Sequence, residues 1–159
     1  MSKTSICVAT LHDVDRACDV FSRFAANAQS LLPVQFESLE ELRPEFLEVL
    51  AKLIESDSAI VLIAEVDGNA VGLLAGVVAP AWFQKTKYVA QELAWWVDEE
   101  FRNSLVGVRL FMAFEEWAKL TGAESIIMSS IETGSHNTGR FLERTGYKKS
   151  DTNYIKRIL

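Results

Sequence analysis

Glycine and proline are scarce in this 159-residue chain, with eight and three respectively, which excludes a collagen-like or low-complexity polypeptide. No apolar run approaches the roughly 18 residues that span a bilayer, so no membrane partner is expected. The opening MSKTSICVAT lacks the apolar core and cleavage site of a secretory signal, and a cytoplasmic location is expected. Cys7 and Cys18 are the only cysteines; their spacing is neither metal-binding nor redox, and buried reduced thiols are the expectation, with no metal site. Positive charge is in deficit, with 16 Lys and Arg against 22 Asp and Glu for a net charge of −6. That balance excludes a surface built for nucleic acid, where phosphate contacts dominate affinity. It leaves room for a local anion site, because backbone amides and one arginine can hold a phosphate whatever the net charge.

What is present is globular. The length predicts one domain over residues 1–159, and 49% apolar residues can fill its core. Ser5–Thr10 alternates as a first strand. His12 reads as a surface loop residue and Asp13 as the N-cap of a helix whose Val14, Ala17, Phe21 and Phe24 share a face. Ser30–Phe36 is a connection. Ser38 and Glu41 form a capping box before a second helix, in which Pro44 implies either a late start or a kink. Ala59–Val66 and Ala70–Val78 flank Asp67-Gly68-Asn69, a strong hairpin signal. A polar loop through Lys87 then leads to a strand over Glu92–Val97.

The stretch around which the rest is arranged follows that strand. After the acidic turn Asp98-Glu99-Glu100 comes Phe101-Arg102-Asn103-Ser104-Leu105-Val106-Gly107. The period then becomes helical, with Val106, Leu110, Ala113, Phe114, Trp117 and Leu120 on one face. A strand feeding a turn and a helix N-terminus directs free N–H groups at one spot, where the helix dipole adds positive charge; such a spot suits a phosphate. Arg102 at its mouth is a candidate bidentate partner. Glu124–Ile131 is the next strand, Thr138–Thr145 a short helix closed by Gly146, and Tyr147–Ile158 one or two further strands. The order β-α-α-β-β-β-α-β-α-β predicts an α/β (α+β) mixed sheet with helices on both faces, its crossover joining two parallel neighbours.

That order and three local strings resemble the GNAT acetyltransferase superfamily. Its acetyl-CoA motif, Gln/Arg-x-x-Gly-x-Gly/Ala between the fourth strand and the next helix, is matched by Arg102 and Gly107, with Leu105 standing where the first glycine is expected. The later pattern of an Asn and a short helix ending in Gly-Phe is matched by Asn137 through Gly146-Tyr147, and the hydrophobic ending Tyr154-Ile155-Lys156-Arg157-Ile158-Leu159 also fits. The whole is similar to the small members found in bacteria and their phages.

The resemblance implies a fold whose fourth and fifth strands splay apart, with pantetheine amides completing the opened ladder against backbone groups of Trp95 to Val97. It implies that Asn103, Ser104, Leu105, Val106, Gly107 and Val108 cradle the pyrophosphate through backbone N–H groups, and that Asn137 contacts the co-substrate from the far side. A strand N–H would stabilise the oxyanion. Direct transfer to an amine needs a proton acceptor, and Glu92 is the candidate, placed to within one residue because a bulge commonly interrupts this strand. The competing account has Glu92 facing solvent at a strand start or merely orienting a loop. Where many members carry a tyrosine that protonates the leaving thiolate, this chain has Leu142; water or His136 is left to replace it, though His136 reads first as a solvated loop residue or helix cap, and Ser129, Ser130 and Tyr154 are reserve candidates. Trp82, Phe83, Tyr88, Trp95 and Trp96 read as core, with a share available to an acceptor pocket. The implied function is acetyl transfer from acetyl-CoA to a primary amine on a small molecule or a protein, with a homodimer compatible. The alternative is a degenerate relative that binds acetyl-CoA or a partner protein without turnover.

Overall fold

The computed structural model describes residues 3–29, 38–130, 138–156 and 158. Five strands, β1 (Thr4–Val8), β2 (Ala59–Val66), β3 (Asn69–Ala81), β4 (Gln84–Val97) and β5 (Ser125–Ile127), lie in the order β1-β2-β3-β4-β5. The first four run antiparallel, and β5 joins β4 in parallel. Short turns produce the antiparallel part: at the β2–β3 hairpin Asp67 and Gly68 take φ of 51° and 86°, the positive values a tight hairpin turn requires. The parallel pair needs a crossover, and helix α3 (Val106–Leu120) supplies it.

Helices cover both faces. On one, α1 (Val14–Ala28) and α2 (Leu39–Glu55) bury Ala17, Cys18, Val20, Phe24 and Leu50 against Val61, Ile63, Leu73 and Ala94. On the other, α3 buries Val106, Leu110 and Phe114 against Leu62, Ala64, Leu74 and Ala90. The alternation of β2 and β3 divides their residues between these two layers. Gly76 is fixed by packing, since a Cβ there would lie 2.3 Å from the Phe114 ring. Cys7 and Cys18 are free thiols, both shifted upward chiefly by burial.

Several local expectations are corrected. The polar segment before Glu92 is strand: β4 begins at Gln84 and pairs with β3 as far out as Ala81, so a long hairpin arm ends at Trp82 and Phe83. Asp13 does not cap α1 with its side chain. It closes a 3-10 turn over Leu11–Asp13 by accepting from the Thr10 N–H and hydroxyl at 2.8 and 2.9 Å. Ser38 caps α2, accepting the Glu41 N–H at 3.3 Å, and the helix runs through Pro44, which lies on the exposed side. The helix α4 (Thr138–Arg144) ends as expected, with Gly146 at φ 98° and Tyr147 N–H returning to Leu142 O at 3.0 Å. The terminal strand is absent among the described residues: 147–156 form no ladder, and Tyr154 is 93% exposed. The charged and polar run from Lys148 to Asn153 offers no alternating apolar face to dock on the sheet. The Ser30–Phe36 connection lies outside the described residues.

Candidate active site

The site begins where a ladder stops. β4 and β5 pair at Val89–Ser125, Ala90–Ile126 and Gln91–Ile127, and among the described residues the register ends there. β4 continues for six more residues with β3 as its partner on the other side. Two residues past the last pair, Ser129 N–H donates to Glu92 Oε2 at 3.0 Å. A side chain thus bridges the two segments at the apex of the opening.

A bulge in β4 follows Glu92 directly. Ala75 pairs with Ala94 but Gly76 pairs with Glu92, which leaves Leu93 extra. Ala90 and Glu92 share the α3 face by ordinary alternation, and it is beyond the bulge that the phase changes, Ala94 belonging to the α1–α2 layer while Trp95 returns to the α3 layer. Glu92 is 7% exposed, the one charged side chain among the buried residues described. Burial raises its pKa from 4.5 to about 7, partly opposed by the Ser129 hydrogen bond. The expectation of a solvent-facing Glu92 at a strand start is thereby overturned, while its bond to Ser129 does hold the chain that leaves β5.

From Glu92 the free half of β4 rises roughly 15 Å to Val97 and meets the turn. A 3-10 turn over Glu99–Phe101 precedes α3, and Leu105 stands at the helix N-cap, where its side chain cannot accept a hydrogen bond. Arg102 N–H goes to Glu99 O, Ser104 N–H to Phe101 O, and Val106 N–H to Ser104 Oγ. Among the described residues, no protein acceptor is seen for the N–H groups of Asn103, Leu105, Gly107 and Val108. Donors left open at a helix N-terminus are what a pyrophosphate uses. Leu105 has φ −79°, a conformation any residue adopts, so the position makes no demand for glycine. A Cβ at Gly107 would meet only Val97 Cγ2 at 3.6 Å and Trp95 Cζ2 at 3.8 Å; the backbone there is approachable from outside.

Arg102 points elsewhere than at this spot: its Nε donates to Val97 O at 2.8 Å and its guanidinium carbon lies 4.4 Å from the Trp96 ring centre. Trp95 stacks on Phe111 at 5.8 Å, and Phe141 and Tyr147 complete an aromatic cluster that seats α4 under the free half of β4. The Tyr147 hydroxyl donates to Glu115 at 3.0 Å, and burial first, then that carboxylate, raises its pKa. Leu142 is 6% exposed and serves as packing. Ser129, Ser130 and Tyr154 are exposed, and Asn137 and His136 lie outside the described residues. Sequence reasoning passed over Asp98 as a turn acid. It is held by Arg23 across 75 positions, and no local pattern announces such a pair.

An open strand half, a buried carboxyl at its foot and an amide-lined helix start at its head lie together along β4. The profile of the acetyltransferase (GNAT) family matches residues 25–147, and the chain belongs to that family of acetyl-CoA-dependent N-acetyltransferases. No curated protein matches it in sequence. Solved structures share the fold. One is the aminoglycoside N-acetyltransferase AAC(6')-Iy in complex with CoA, at 13% identity and TM-score 0.78, covering 99% of this chain and 95% of that one. Another is the ribosomal-protein-alanine N-acetyltransferase of Brucella melitensis biovar Abortus, at 18% identity and TM-score 0.70, covering 98% and 99%. A transcriptional regulator from Bacillus halodurans aligns with 17% identity and TM-score 0.77 over 98% and 100%. No helix among the described residues is long and apolar enough to cross a membrane.

Proposed function

We propose that this protein moves the acetyl group of acetyl-CoA directly to a primary amine, with Glu92 taking the proton that the amine gives up. The observation that carries the reading is the position of Glu92: buried, at the apex of the β4–β5 opening, on the strand that leads to the amide-lined turn. Acetyl-CoA supplies an activated acyl carbon and a thiolate of conjugate-acid pKa about 8.5, a tolerable leaving group without a dedicated acid. This fits a chain with Leu142 where relatives place a tyrosine.

Magnitudes favour a carboxyl raised in this way. An alkylammonium of pKa about 10.4 giving its proton to an ordinary carboxylate at 4.5 faces about 8 kcal/mol uphill. With Glu92 at about 7 the gap falls to about 5 kcal/mol, and desolvation of the amine narrows it further. About half of Glu92 is ionised at neutral pH on that value, so the base form is available. The N–H groups of Asn103, Leu105, Gly107 and Val108 would hold the pyrophosphate, and the free half of β4 near Trp95 would receive the pantetheine amides.

The test combines thermal shift with thiol release. Acetyl-CoA at about 100 times Kd should stabilise the fold by roughly 2.7 kcal/mol, and free CoA thiol should accumulate with at least one amine of a panel that includes aminoglycosides, polyamines and N-terminal peptides. No shift at millimolar acetyl-CoA refutes the reading; a shift without thiol release across the panel makes the protein a binder that does not turn over.

A further inference from the structure

We infer that Arg23, on α1 and outside the acetyl-CoA motif, is a positioning residue for the co-substrate turn; this rests on the reading of residues 103–108 as that turn. The guanidinium grips Asp98 with two bonds, Nε to Oδ1 at 2.8 Å and Nη2 to Oδ2 at 2.9 Å, and Nη2 also reaches Ala70 O at 3.0 Å. A fork-to-fork pair of this kind fixes orientation as well as distance. Asp98 in turn accepts the Trp96 indole N–H at 2.8 Å. Its backbone is held on both sides, its N–H donating to Val71 O at 2.8 Å and its carbonyl accepting the Phe101 N–H at 2.9 Å.

Trp96 passes the constraint on. Phe24 of α1 packs against it edge-on at 6.3 Å between ring centres, and Arg102 lies over its ring at 4.4 Å while donating to Val97 O at 2.8 Å. The chain of contacts therefore runs from α1 through Asp98 and Trp96 to Arg102, which opens the turn. Local bonds shape the turn, Ser104 N–H and hydroxyl both donating to Phe101 O and Val106 N–H to Ser104 Oγ, but they leave its placement against the sheet to the contacts of Asp98 and Trp96. Arg23 supplies the one ion pair among the described residues that ties α1 to the end of β4.

Arg23→Ala, Arg23→Lys, Asp98→Asn and the double variant Arg23→Ala/Asp98→Asn test this by calorimetric titration with CoA and by steady-state kinetics on any accepted amine. Arg23→Ala should weaken CoA binding and raise KM for acetyl-CoA about tenfold while kcat stays within about twofold, the pattern of lost binding equal in ground and transition states. Arg23→Lys should fall between wild type and Arg23→Ala, and the double variant should be no worse than the weaker single one, because both break the same pair. Unchanged CoA affinity in Arg23→Ala, or equal losses in kcat and kcat/KM with KM unmoved, overturns the inference; should Arg23→Ala not fold, unchanged affinity in Arg23→Lys overturns it as well. Wild-type protein that binds no CoA defeats the co-substrate reading itself, whereas wild-type binding with an indifferent Arg23→Ala defeats only the clamp.

Discussion

Replacing Glu92 with Gln separates the cost of the buried acid from everything else in the molecule. Glutamine keeps an oxygen for the Ser129 N–H but cannot ionise. In the wild type the folded pKa is about 7 against 4.5 for the free group, a difference worth about 3 kcal/mol. The sign follows from proton counts. Below pH 4 both folded and unfolded chains hold the Glu92 proton and nothing is lost. As pH rises through 4.5 the unfolded chain releases it while the fold retains it, so the unfolded state gains. The loss grows until pH passes about 7 and is constant thereafter. Urea denaturation of both proteins at several pH values between 4 and 8 should show Glu92→Gln gaining on wild type by about 3 kcal/mol across that range; every other titrating group cancels in the comparison. A difference that stays flat within about 0.5 kcal/mol would mean that Glu92 is not desolvated in the fold, and the argument for it as a tuned proton acceptor would fail. In kinetics the wild type should show a rising limb with an apparent pKa near 7, and Glu92→Gln should lack it.

Two further substitutions probe the frame around that carboxyl. Gly76→Ala forces a methyl to within 2.3 Å of Phe114 Cε2 and 2.9 Å of Gln91 O. It should cost about 1–3 kcal/mol by urea denaturation, and no loss would contradict the packing of α3 on the sheet. The added methyl of Gly107→Ala meets only ordinary contacts within the protein. Apo stability should therefore hold while KM for acetyl-CoA rises about tenfold, and an unchanged KM would show that the co-substrate does not approach that backbone.

Much of this was legible in the chain because local rules agreed with the tertiary structure. The switch from strand to helical period at Val106 marks the start of α3 as observed. Asp67-Gly68 turns the β2–β3 hairpin, and a crossover of that length requires β4 and β5 to be parallel neighbours, as they are. Family resemblance, confirmed by the match over residues 25–147, supplied what periodicity cannot, the expectation that those neighbours part. What escaped is non-local. The outer half of β4 carries the polar residues of a loop and is a strand only because β3 stands beside it. The burial of Glu92 depends on α3 and the chain leaving β5 closing over that end of the strand, and the hold of Arg23 on Asp98 spans a separation of 75 positions. Arg102 is read from sequence as a phosphate partner, yet in the fold its Nε faces Val97 and its plane faces Trp96.

The central claim is that acetyl-CoA lies along the free half of β4 with its phosphates on the start of α3. Residue-resolved amide hydrogen exchange with and without acetyl-CoA tests this most directly. The account predicts that protection rises on addition at Asn103, Leu105, Gly107 and Val108 and along β4 between Glu92 and Val97, with the β1–β2 pair unaffected. Saturating acetyl-CoA that leaves those amides exchanging as before would contradict it.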